Sequence, residues 1–90
     1  MNTNVRVLDL LYSEEIISPQ GSFAKAQVIL DRTWFDSKGV AHPAHLKEYV
    51  TMSMPILERL KSQKGPSLVS IVERKSKDGR YINKRITGIH

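Results

Sequence analysis

The chain has no cysteine in its 90 residues, which removes disulfides, thiolate nucleophiles and cysteine-rich zinc sites together. Long apolar runs are missing as well. No stretch approaches the length that spans a bilayer, and the first residues lack the basic and apolar blocks of a signal peptide, so no membrane association and a cytoplasmic location are expected. Aromatic residues are scarce at 7%, with one tryptophan. Repeats, linkers and low-complexity segments are absent, and the length fits a single domain over 1–90.

What is present is the balance of an ordinary folded protein, 40% hydrophobic and 26% charged. So short a chain buries only a modest core, which makes a partner subunit a natural source of stability; a homodimer or higher homo-oligomer is expected. Charge is distributed unevenly. Residues 1–55 hold five basic groups against six acidic ones, whereas residues 56–90 hold nine against three, a net of +6. Such a region either keeps a small protein soluble or meets a polyanion.

The basic groups gather in the last third. From Ser67 to His90 two runs rich in β-branched residues flank Ser76-Lys77-Asp78-Gly79, where Asp-Gly suits the positive φ values of a type I′ hairpin turn. Arg74, Lys75, Lys77, Arg80, Lys84 and Arg85 surround that turn. Upstream, Val5–Tyr12 is apolar on both faces, as in a strand buried on both sides or shared between subunits. Ser18–Gly21 turns the chain, and Phe23–Leu30 alternates, with Ala24, Ala26, Val28 and Leu30 on the inner face. Asp31–Ala44 reads as a long loop or extended hairpin turning at Ser37-Lys38-Gly39. In the third alternating run Leu46, Val50, Met52 and Met54 face inward and Lys47, Tyr49 and Thr51 outward, with Glu48 the misfit. Pro55 then opens a short helix whose Ile56, Leu57 and Leu60 plug a barrel end, stopped by Gly65-Pro66.

The resulting order, β-β-β-α-β-β, predicts an all-β protein with small α content: the five-stranded oligonucleotide-binding (OB) barrel. The segments Val28–Asp36 (VILDRTWFD), Tyr49–Met54 (YVTMSM), Ile56–Gly65 (ILERLKSQKG), Leu68–Ile71 (LVSI) and Lys77–Tyr81 (KDGRY) resemble bacterial single-stranded DNA-binding proteins. That resemblance implies a non-enzymatic protein of DNA replication or recombination, with single-stranded DNA as ligand and replication proteins as possible partners. The bacterial proteins follow their barrel with a Gly-rich region and an acidic tip. This sequence ends at His90, so recruitment through such a tail is not implied. A tailless barrel is nearer to primosomal replication protein B and the DNA-binding proteins of filamentous phages.

Binding a single strand without sequence preference takes cations along the phosphates and flat rings for the bases. The candidate rings are Trp34, beside Arg32 and Lys38; Tyr49, between Lys47 and Thr51; and Tyr81, after Arg80 and sharing a face with Arg85. A lid over a small core is the alternative for Trp34, whose polar loop favours stacking on a base, and covering a strand pair or sitting in a dimer contact would account for Tyr49 equally simply; Phe23 and Tyr12 are assigned to packing. The candidate phosphate contacts are Lys25, Arg32, Lys47, Arg74, Lys75, Lys77, Arg80, Lys84 and Arg85. Any one of these fits a solvated surface charge. Only their clustering singles them out. Adjacent Glu14 and Glu15 point opposite ways in a strand, and His42 and His45 lack a third ligand at zinc spacing, so neither catalysis nor a cofactor or metal is expected. Two other readings fit the same residues: an OB module docking an acidic protein, and an RNA-binding barrel.

Overall fold

β-Branched and small apolar residues at alternate positions build most of this chain into strands. A computed structural model describes residues 2–90, with β1 (Asn2–Ser18), β2 (Gly21–Asp31), β3 (Trp34–Phe35), β4 (Ala41–His42), β5 (His45–Met52), α1 (Met54–Ser62), β6 (Ser67–Lys75) and β7 (Ile82–Ile89). Five strands close a barrel in the order β1-β2-β5-β7-β6, and β6 returns to pair with β1. β3 and β4 form a separate two-stranded hairpin between β2 and β5. This is the expected five-strand, one-helix order.

The alternation on β2 is obeyed throughout: Ala24, Ala26, Val28 and Leu30 are fully buried. Val50 and Met52 of β5, Val69 and Ile71 of β6, and Ile86 and Ile89 of β7 complete the interior with Leu57 and Leu60 of the helix. Two expectations for the third run change. Leu46 is half exposed, at the barrel rim, and Met54 opens the helix rather than continuing the strand. Ser53 occupies the helix N-cap, Pro55 lies in the first turn, and Leu57 and Leu60 plug the barrel end reached by β5.

β1 is longer than Val5–Tyr12 and is not buried on both faces. Its start pairs with β6, from Asn2↔Val72 to Val7↔Ser67, and from Arg6 onward it pairs with β2. Register shifts leave Leu8 and Leu11 as extra residues, and such bulges bend a strand around a barrel corner. Val5 and Val7 therefore face the core, while Leu11 and Tyr12 emerge into solvent. Beyond the corner, Ser13–Ser18 and Gly21–Ala26 continue as a hairpin.

The β6–β7 hairpin forms as expected, but its turn is of another kind. The strands stop at Lys75 and resume at Ile82, and Ser76 N–H donates to the Tyr81 carbonyl (2.8 Å). Within this turn only Gly79 takes positive φ (+73°). Asp78 instead accepts from the Ser76 hydroxyl (2.6 Å) and the Arg80 N–H (3.2 Å), so it shapes the loop through its side chain. These bonds hold its carboxyl below the usual range.

Candidate nucleic-acid interface

Paired residues in a ladder project to the same side of a sheet, so register locates the outer surface. One row runs Tyr12↔Gln27↔Tyr49 across β1, β2 and β5. The next runs Glu14↔Lys25↔Thr51↔Arg85↔Val72, crossing all five barrel strands. These rows place Tyr49, Lys25 and Arg85 side by side. Lys25 Nζ lies 5.4 Å from the centre of the Tyr49 ring, in reach of a cation–π contact.

Two clefts flank the root of the β6–β7 arm. One, of about 420 Å³, is lined by Lys25, Tyr49, Thr51, Tyr81, Ile82, Asn83 and Lys84. The other, of about 280 Å³, is lined by Thr51, Val72, Arg74, Asn83, Arg85 and Thr87. They share Thr51 and Asn83. Tyr81 thus joins Tyr49 and Lys25, while Arg85 lines the neighbouring cleft with Arg74. Tyr49 and Tyr81 keep 59% and 66% of their surface exposed, which rules out burial as their purpose.

The misfit Glu48 is the best-buried charged side chain of the site, at 9% exposure. Arg32 grips it through two bonds, Nε to Oε2 at 2.8 Å and a terminal nitrogen to Oε1 at 2.9 Å, and reaches Glu73 at 3.2 Å. Lys84 Nζ bonds Glu48 as well. Hydrogen bonding from Arg32, then from Lys84, holds the Glu48 carboxyl below its ordinary range against the desolvation that opposes it. Arg32 and Lys84 are therefore occupied by carboxylates. Lys25, Lys47, Arg74, Lys75, Lys77, Arg80 and Arg85 remain exposed to solvent. Arg80 has only a loose pairing with Asp78, 3.8 Å apart and open to water.

This network ties both arms to the barrel. β5 and β7 run parallel, so the β3–β4 hairpin that precedes β5 and the arm that precedes β7 leave from the same end. Arg32 precedes β3, Glu48 lies on β5, and Glu73 and Lys84 pair across the base of the arm. Trp34 stands opposite His42 in the short hairpin, and their rings stack at 4.2 Å and 13°. Trp34 is 55% exposed, so it is no lid over the core.

Three participants were not among the candidate binding residues. Tyr12, assigned to packing, is 52% exposed in the same row as Tyr49; Glu14 accepts its hydroxyl at 2.8 Å and raises its pKa. Glu48 left a signal, a charge at an inward position. His42 left none, because its value comes from standing opposite Trp34. Among the described residues no cluster of three or more His, Asp or Glu groups could hold a metal ion, and no helix is long and apolar enough to cross a membrane.

No family model matches this sequence, and no curated protein matches it by sequence. Among solved structures, the small single-stranded DNA-binding protein from Streptomyces coelicolor aligns over 99% of this chain and 87% of its own, with a TM-score of 0.54 and 10% identity. At that identity the likeness speaks for architecture. The chain is an OB-fold barrel, five closed strands with one helix between the third and fourth of them in chain order, and its architecture is similar to that of this single-stranded DNA-binding protein.

Proposed function

We propose that the protein binds single-stranded DNA without catalysis, acting in replication or recombination in the cytoplasm. The observation that carries this reading is the pair of adjoining clefts that gather exposed Tyr49 and Tyr81 with Lys25, Arg74 and Arg85 on one outer face. Bases stack on the two tyrosines and on Trp34, while the phosphates follow Lys25, Arg85 and Arg74, with Lys47, Lys75, Lys77 and Arg80 along the flanks. Arg32 and Lys84 serve as struts. The solvent-facing Leu11 and Tyr12 of β1 support a homodimer or higher oligomer, whose copies would bind one strand together. Replication proteins are the expected protein partners.

Titration with oligo-dT at two salt concentrations tests this reading. Trp34 emission should be quenched on binding, and the logarithm of affinity should fall with that of salt at about 0.7 per phosphate neutralised. Replacing Tyr49 by Ala should weaken binding by about 1–3 kcal/mol, the worth of one stacked base. Flat emission and no binding at low salt would overturn the reading. Tighter binding of matched RNA would redirect it to RNA, and capture of an acidic protein without oligonucleotide affinity would redirect it to a protein module.

A further inference from the structure

Trp34 and His42 are one of the two direct cross-strand pairs of a hairpin whose strands have only two residues each. Opposite positions in an antiparallel ladder bring side chains within contact, and here two flat rings lie nearly parallel at 4.2 Å. So small a hairpin has no interior to protect. The stack covers one face of the indole, and Trp34 as a whole still exposes 55% of its surface.

The lower ring is itself held. Nε2 of His42 lies 2.9 Å from Oδ2 of Asp36, and the other oxygen of the same carboxylate accepts the N–H groups of Lys38 (2.8 Å) and Val40 (3.0 Å). One carboxylate thus folds the turn and fixes the imidazole. Gly39, at φ +79°, gives the turn the left-handed residue it needs. At the root, Arg32 N–H donates to the Ala44 carbonyl (2.7 Å), and the Arg32 side chain is anchored on Glu48 and Glu73. The indole therefore has a set tilt relative to the barrel.

We propose that His42 and Asp36 are positioning residues that hold Trp34 as a platform open on one side, so that one base of a bound strand becomes the third layer of a His42–Trp34–base stack. The inference rests on the single-strand reading above. A ring that must be ordered at the moment of binding costs affinity, whereas one ordered during folding does not. His42 provides that order without touching the strand.

The experiment measures oligo-dT affinity at two salt concentrations together with Trp34 fluorescence anisotropy in the unbound protein. His42→Ala should weaken binding about three- to tenfold, lower the anisotropy and leave the salt slope unchanged, because no phosphate contact is lost. His42→Phe should restore both only in part, since a phenyl ring fills the same layer but lacks the bond to Asp36 that fixes the imidazole; full restoration would remove Asp36 from the positioning role. Circular dichroism reports folding, and His42→Leu, which keeps bulk but not the flat face, replaces His42→Ala if the latter unfolds. Wild-type affinity in the Ala or Leu variant overturns the positioning role, as does wild-type affinity in Trp34→Ala. If those variants match the wild type while Tyr49→Ala binds weakly, the single-strand reading stands and only this inference falls. If the unaltered protein does not bind oligo-dT, both fall.

Discussion

At one end of the barrel Leu57 and Leu60 of α1 lie against apolar strand residues, whereas at the other Glu48 sits between Arg32 and Lys84 with Glu73 beside them. Apolar contact is non-directional and tolerates small rotations of what it joins. Charge-assisted hydrogen bonds have fixed lengths and angles. The helix end is thus suited to holding the barrel together, and the ionic end to aiming the two arms that carry Trp34, Tyr81 and the exposed Arg74, Lys75, Lys77 and Arg80. Orientation is supplied from the ionic end, and the larger share of stability from the helix end.

The division can be tested by damaging each end in turn. Leu57→Ala should have the largest effect, about 2–5 kcal/mol of stability, while leaving the salt slope of oligo-dT binding as it was. Chemical denaturation and a binding titration check the two halves. Glu48→Gln should cost about 2–3 kcal/mol, less than a fully buried pair because its partners are partly solvated, and should steepen the salt slope by releasing Arg32 and Lys84. An unchanged slope would show that the ionic end does not control the cationic surface.

Acid sharpens the same contrast. The Glu48 carboxyl is depressed by its bond from Arg32, so its stabilisation is complete above the ordinary carboxylate range and disappears as pH falls through the lower folded value. Melting temperature should drop in that acid window in the wild type and drop less in Glu48→Gln. Asp36, depressed by its bond to His42, adds to the decline with the same sign. Gly79→Ala, which forces a side chain into φ +73°, should cost about 1 kcal/mol and act on the arm alone. The smallest effect is expected from Arg85→Ala, a weakening of a few fold with a slope reduced by about 0.7 and no change in melting.

Much of this architecture is legible in residue order. Ala24, Ala26, Val28 and Leu30 recur at the period of a strand, and Leu57 and Leu60 at that of a helix, so local spacing alone marks the faces they bury. The extent of β1 is not legible, because the extra residues Leu8 and Leu11 break the period that a reader follows. Arg32 looks like any basic residue near a tryptophan until folding brings Glu48 and Glu73 to it from distant strands. The Asp-Gly turn misleads for another reason: Asp78 can satisfy the loop through its carboxylate as readily as through its backbone. The exposed rings of Tyr49 and Tyr81 follow from alternation and turn position, but their meeting in one cleft depends on β7 lying beside β5.

That neighbour relation bears on how the protein is made. β7 is the last barrel strand in the chain, yet it sits between β5 and β6, so during synthesis the sheet has a gap until residues 82–89 have left the ribosome. Until then β5 lacks its parallel neighbour and β6 lacks its hairpin mate, and the inner faces of both lie open to water and to other nascent chains. The strand that completes the cylinder therefore also ends its period of greatest risk.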